Sequence, residues 1–228
     1  MNFPPDSPFN GLYYAPIPLS LRNNIPNMNL PFTENATTEY ADALAQEQFI
    51  NFNIKALWQG MPRIAGPAFT VQMKAGDNLM LHSAIYEAPA GSILVVDAGS
   101  DIRSAVAGGN VCAIAQKRSI VGMIIDGVIR DIAEIREAKF PVYALGNVAK
   151  PGVKEFISPL NQPILCGSVK VNPNDIIVAD EEGIAVIPHA QQQEAFDIAS
   201  KRTALDKTTS LEDWEKAHRA KILKLLPK

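Results

Sequence analysis

Val121-Gly122-Met123-Ile124-Ile125-Asp126-Gly127-Val128-Ile129-Arg130-Asp131 is the stretch that decides the fold. The run Val121–Asp126 is apolar without alternation and bounded by turn-forming residues, so it reads as a strand buried on both faces. Gly127–Arg130 reads as a loop and Ile132–Lys139 as a short helix, and Val142–Leu145 returns as a strand. Working toward the N-terminus, Ser92–Asp97 is a second buried strand, entered through the turn Ala90-Gly91. It leads through a glycine-containing stretch to a helix from about Gly109 to Arg118. Before it lie a helix at Asp77–Glu87 and an alternating strand at Pro67–Lys74. Strand–helix alternation of this kind belongs to an α/β sheet. Short β-branched segments at 164–171, 176–179 and 184–187 predict an additional β layer, and residues 189–206 and 210–225 predict helices.

The flanks differ from this core. Residues 1–35 form a proline-rich arm, with Pro4, Pro5, Pro8, Pro16, Pro18, Pro26 and Pro31. Proline fixes φ and removes a donor, so the arm is no long helix or central strand. Its aromatic and aliphatic residues predict packing on the body or on a neighbouring subunit. Thr37–Trp58 reads as mainly helical, ended by Gly60-Met61-Pro62.

Composition narrows the function. Hydrophobic residues make up 47% and charged residues 20%, a globular balance. The net charge is −3, with Lys and Arg scattered, which argues against a nucleic-acid partner. Cys112 and Cys166 lie far apart with no CxxC spacing. They predict neither disulfide nor zinc site but two small buried side chains, in keeping with a reducing cytoplasm. No run approaches the ~20 apolar residues of a membrane helix, and the N-terminus lacks the pattern of a secretory signal. Dinucleotide, Walker, GxSxG and HExxH signatures are all missing.

Ligands of open α/β sheets bind beyond the carboxyl ends of strands. The deciding stretch ends there in Arg130-Asp131. Arginine offers a permanently charged planar fork for carboxylates and enolates; aspartate offers hard oxygen for Mg²⁺ or Mn²⁺. An Arg-Asp at a helix start also serves commonly as a cap with a surface ion pair. Gly108-Gly109-Asn110-Val111 opens a helix whose free N–H groups attract an anion. Gly76-Asp77-Asn78 followed by His82 is a third candidate, in which Asp77 reads as a helix cap and His82 as either structural or catalytic, while Asp180-Glu181-Glu182-Gly183 reads as a hairpin turn. His189 and His218 have no partner pattern.

Taken in order, several pieces resemble the RraA-like family, whose catalytic branch holds the 4-hydroxy-4-methyl-2-oxoglutarate/4-carboxy-4-hydroxy-2-oxoadipate aldolases. They are Gly66-Pro67-Ala68-Phe69-Thr70-Val71, Gly76-Asp77-Asn78, Ala90-Gly91-Ser92-Ile93-Leu94-Val95-Val96-Asp97, the segment 122–131, Phe140-Pro141-Val142 and Val171-Asn172-Pro173-Asn174-Asp175-Ile176, followed by 179–188. The match spans roughly residues 36–210 and leaves 211–228 as a separate C-terminal helix. It implies an α/β core like the swivelling phosphohistidine domains, with short β layers and flanking helices. It also implies trimers or hexamers with active sites between subunits.

By resemblance, Arg130 holds the pyruvyl end of a small 2-oxo acid, Asp131 binds Mg²⁺ or Mn²⁺, and the N–H groups of Asn110 and Val111 receive its carboxylate beside Gly108 and Gly109. The implied reaction is metal-dependent aldol cleavage to pyruvate, with oxaloacetate decarboxylation as a companion activity. One position departs: the aldolases carry an acid where this chain has Gly109. A second acid, from a neighbouring subunit's C-terminal helix, falls near Asp206. The family's other branch implies the alternative, a non-catalytic protein that binds a ribonuclease.

Overall fold

The computed structural model describes residues 31–226. Its centre is a seven-stranded sheet in the order β1-β5-β4-β3-β2-β8-β9. The strands are β1 (Lys55–Ala56), β2 (Ile64–Gln72), β3 (Ile93–Ala105), β4 (Gly122–Ile129), β5 (Val142–Asn147), β8 (Ile176–Asp180) and β9 (Gly183–Ile187). β2, β3, β4 and β5 run parallel; β1, β8 and β9 pair antiparallel at the flanks. A hairpin of β6 (Ile164–Cys166) and β7 (Val169–Val171) forms a small second layer.

Parallel neighbours need crossover connections, and helices α2 (Leu79–Glu87), α3 (Gly109–Lys117) and α4 (Ile132–Glu137) supply them. They pack with Leu81, Ile85, Cys112 and Ile135 on one face of the sheet. The other face carries Ile93, Val95, Ile124 and Tyr143 under the β6–β7 hairpin. β4 sits between these faces, and every one of its residues is buried. That accounts for its unalternating apolar sequence. A third cluster joins α1 (Thr37–Tyr40) and α5 (Gln192–Thr208) to β8 and β9, with Phe32 against Tyr40 and Phe196. Phe32 therefore belongs to the folded body; residues 1–30 of the arm lie outside the described residues. Among the described residues, no helix is long and apolar enough to cross a membrane.

Three expectations need correction. Thr37–Trp58 is not mainly helical: α1 is a single turn, Gln46–Gln48 is a 3₁₀ turn, and the remainder is irregular up to β1. Tertiary pairing outweighs helix propensity here. Phe49 bridges Ala185, the Ile50 N–H donates to the Ile184 carbonyl, and the Asn51 N–H donates to the Gly167 carbonyl. Gly127–Ile129 is strand, not loop, because β3 is long enough to keep pairing with it. The register shifts between Asp97 and Asp101 and again before Ala105 let Asp101 face Gly127 and Ala105 face Val128. Finally, 164–171 is two short strands around Gly167-Ser168, both with positive φ.

The last element, α6 (Leu211–Leu225), begins at Ser210, whose Oγ accepts from the Asp213 N–H. Leu211, Trp214, Leu223 and Leu225 remain exposed along it.

Candidate functional site

The extension of β4 delivers Arg130 and Asp131 to the start of α3. The Arg130 N–H donates to the Ala107 carbonyl and ties the two chain segments together. Asp131 follows in the left-handed region, at φ 61° and ψ 40°. A non-glycine residue there carries strain of about 1–3 kcal/mol, a cost met mostly where a side chain must be aimed.

Asp131 stands at the N-cap of α4, yet its side chain does not cap that helix. Oδ2 instead accepts from the Gly109 N–H at 3.1 Å, at the start of α3. Arg130 Nε lies 3.6 Å from the same oxygen, with the two side chains 44% and 37% exposed. Both contacts fall on Oδ2, leaving Oδ1 without a protein partner among the described residues. The ion pair expected of these residues exists, but the helix that Asp131 caps is the neighbouring one.

The glycines before α3 make this approach possible. A Cβ on Gly108 would collide with Asp131 Oδ2 and sit 3.1 Å from Arg130 Cγ and Nε. A Cβ on Gly109 would collide with the Glu134 carboxylate. Three charged side chains thus close on a helix start stripped of its own side chains. The helix offers no internal acceptor to the N–H groups of Asn110 and Val111, which remain available to an anion.

A cavity of about 80 Å³ opens at this corner, lined by Gly108, Asn110, Val111, Arg130 and Asp131 together with Asn78, His82, Pro151 and Lys154. Asn78 is 4% exposed, and its Oδ1 is buried without a hydrogen-bond partner. A buried acceptor left open in a cavity wall is a place for a ligand or water donor. Burial, then the charges of Lys154 and Arg130, hold the His82 imidazole below its usual pKa of 6.5, against an opposing hydrogen bond with Val106. Sequence reasoning misses Lys154, but the candidate stretch Gly76-Asp77-Asn78 followed by His82 does reach this cavity through Asn78 and His82. Lys154 carries no motif; it arrives because the 148–157 segment pairs with Asp77 and Ala105, where the Val153 N–H donates to the Gly76 carbonyl. The signal for Asn78 lay in the Gly76-Asp77-Asn78 turn. Asp77 anchors that turn rather than merely capping: Oδ1 accepts from the Leu79 N–H and Oδ2 from those of Glu155 and Phe156.

Asp206 is not brought to this cavity within one chain. It lies on α5, exposed, ion-paired to Arg202 Nε at 3.0 Å one turn earlier. A larger cavity of about 460 Å³ lies on the opposite face of the sheet, beside Phe52, Ile102 and Asp126. Its carboxylate is already engaged: Asp126 accepts from Ser100 Oγ at 2.8 Å and from the Gly167 N–H at 3.0 Å. Volume favours that cavity, whereas uncommitted charge and strained backbone favour the one at Arg130.

Among the described residues no three His, Cys, Asp or Glu side chains cluster as a closed metal cage. A single carboxylate with a free oxygen still suits Mg²⁺, which keeps several waters and takes one or two carboxylates plus substrate oxygens.

Comparison with known proteins shows which family the chain resembles in sequence and fold. The RraA-like family model, described as Aldolase/RraA, matches residues 37–186. A Halalkalibacterium halodurans protein, named provisionally as a 4-hydroxy-4-methyl-2-oxoglutarate aldolase, is 38% identical over 170 residues, covering 75% of this chain and 80% of that one. The 4-hydroxy-4-methyl-2-oxoglutarate aldolase of Thermus thermophilus is 30% identical over 155 residues, covering 68% and 93%. A solved structure described as the RNA-processing inhibitor RraA from Thermus thermophilis superposes with a TM-score of 0.61 at 29% identity, covering 67% and 92%.

Proposed function

The chain belongs to the RraA-like family, and from that premise we propose that it is a lyase cleaving 4-hydroxy-2-oxo acids to pyruvate, assisted by Mg²⁺ or Mn²⁺. One observation carries the reading: Arg130, Asp131 and the open N-terminus of α3 line a single cavity past the end of buried strand β4.

The substrate's C1 carboxylate rests on the N–H groups of Asn110 and Val111, where the helix dipole favours negative charge. The Arg130 guanidinium faces the C2 oxygen and stabilises the charge that develops there as the C3–C4 bond breaks. Asp131, whose Oδ1 is uncommitted among the described residues, would hold the cation. When bound, Mg²⁺ or Mn²⁺ supplies Lewis-acid polarisation of the 2-oxo group. Lys154 adds a second positive charge for a distal carboxylate, and the open Oδ1 of Asn78 receives a donor from substrate or water. Decarboxylation of oxaloacetate needs the same enolate stabilisation and belongs to the same reading.

α6 supports an assembly of several copies, as a trimer or hexamer. A helix of 15 residues is marginal alone in water, and it leaves Leu211, Trp214 and Leu225 exposed, with Trp214 stacked on His218 of the same helix. In such an assembly Asp206 of one copy approaches the cavity of the next. A cytoplasmic location fits the two free buried cysteines.

The test is pyruvate release from a panel of 2-oxo acids, with Mg²⁺, with Mn²⁺ and with EDTA. Turnover that requires the metal supports the reading; none on any member of the panel overturns it. The likeness to a structure described as an RNA-processing inhibitor favours a second reading, a non-catalytic protein that binds a ribonuclease. Co-purification with a ribonuclease, together with an inert panel, would establish it.

A further inference from the structure

Aldol cleavage needs a group that takes the proton from the C4 hydroxyl. The groups already placed serve this poorly. Arg130 and Lys154 are donors at neutral pH. Asp131 Oδ2 is engaged by the Gly109 N–H and by Arg130. The ring of His82 is tied to the Val106 carbonyl.

Glu134 is different. It stands on the first turn of α4, and no hydrogen bond or ion pair engages its carboxylate among the described residues. Its carboxylate occupies the space where a side chain on residue 109 would begin; a Cβ there would lie 3.0 Å from its Cδ and 3.1 Å from its Cβ. Gly109 sits between two residues of the cavity wall, Gly108 and Asn110. The carboxylate therefore lies over the helix start beside these wall residues, in the space left by the missing side chain.

We infer that Glu134 is the catalytic base of the cleavage, and that Gly109 is the clearing that lets it reach the substrate hydroxyl. The inference rests on the aldolase reading above. In the step, the carboxylate of Glu134 takes the C4 hydroxyl proton. The C4 oxygen's electron pair forms the new carbonyl, and the C3–C4 bond breaks. Its pair moves into the C2–C3 bond and onto the C2 oxygen as enolate. Glu134 then returns its proton to C3, giving pyruvate and restoring the carboxylate.

The fold puts the base there by an indirect route. Asp131 in its left-handed conformation starts α4 against α3, and three residues further on Glu134 comes over the α3 start. A side chain on residue 109 would displace its carboxylate from this position.

The test compares two substrates on the full chain with Mg²⁺. 4-Hydroxy-4-methyl-2-oxoglutarate must lose a hydroxyl proton; oxaloacetate has none to lose. Glu134→Gln is expected to lower kcat for the hydroxy acid about 10²–10³-fold, with KM within about threefold. Oxaloacetate decarboxylation is expected to fall by less than about fivefold, since its chemistry omits the base. Glu134→Asp, which keeps the carboxylate on a shorter stem, should retain at least about tenfold more cleavage than Glu134→Gln. Equal losses on both substrates, or none on either, would overturn the inference. So would a hydroxyl-specific loss in His82→Asn in place of Glu134→Gln. A parent protein inert toward both substrates fails one level earlier, at the aldolase reading, and takes the base assignment with it.

Discussion

Two Arg–Asp pairs lie at opposite ends of the sheet, and they are built to different purposes. Arg63 Nε meets Asp180 Oδ2 at 3.0 Å, with Asp180 nearly sealed at 8% side-chain exposure. Every lone pair of that carboxylate is claimed: Thr37 donates through both its N–H and its hydroxyl, and the Glu182 N–H adds another bond. Burial alone would raise the pKa of Asp180; these hydrogen bonds outweigh it and hold the carboxyl below its usual 3.8. The pair Arg130–Asp131 is longer, more exposed and half-satisfied, on strained backbone beside an open cavity. A saturated pair has nothing left to offer a ligand and can only hold the chain together. An unsaturated one keeps its charge available, and the fold carries the strain of keeping it so.

The contrast can be broken first at the cavity. Arg130→Ala and Asp131→Ala should each lower kcat/KM for pyruvate formation by about 10²–10³-fold, the scale of losing a main electrostatic stabiliser. Their melting temperatures should stay within a few degrees of the parent, which calorimetry checks. A large loss of stability instead would make this pair structural too.

Asp180→Asn should do the reverse. The amide presents donors where Thr37 and Glu182 already donate, and Arg63 loses its counter-charge. The cost is about 2–3 kcal/mol, on the low side for a buried pair because Arg63 stays 31% exposed. That corresponds to roughly 5–10 °C in melting temperature, with kcat per folded molecule unchanged. The sign with pH follows from the depressed pKa. Asp180 contributes its full stability above the unfolded carboxylate value of 3.8, and loses it as pH falls through the lower folded value. Denaturation midpoints measured from neutral pH downward should fall less steeply in Asp180→Asn than in the parent.

The smallest of these effects sharpens the geometry. Gly108→Ala puts a methyl where Asp131 Oδ2 sits and crowds Arg130. Shifting either group by a fraction of an ångström should lower kcat/KM roughly 10–100-fold with little change in stability. Steady-state kinetics beside a thermal melt would separate the two.

Much of this was legible in the sequence. The apolar run before Arg130 gave a buried strand whose end holds the charged pair, and the Gly108-Gly109 step gave the start of α3. The reach of β4 through Gly127–Ile129 was not legible, because it depends on the register shifts of its neighbour β3. Nor was the collapse of Thr37–Trp58 into turns, where Phe49 and Ile50 answer to β9 rather than to their own helix propensity. Lys154 is close to Arg130 only through a loop that folds back along Asp77. Glu134 escaped notice for a related reason: its importance lies in what Gly109 lacks, and that juxtaposition crosses two helices. The Arg63–Asp180 pair was hidden in what reads as an ordinary acidic hairpin turn.

At the centre stands the proposal that Arg130 stabilises the enolate of pyruvate and that Asp131 would hold a divalent cation beside it. Calorimetric titration with oxalate, a stable mimic of that enolate, tests it without turnover. The parent should bind oxalate only when Mg²⁺ or Mn²⁺ is present, and Asp131→Ala should not bind it under either condition. Oxalate binding that is equally tight with and without metal, or unchanged by Asp131→Ala, would contradict the account.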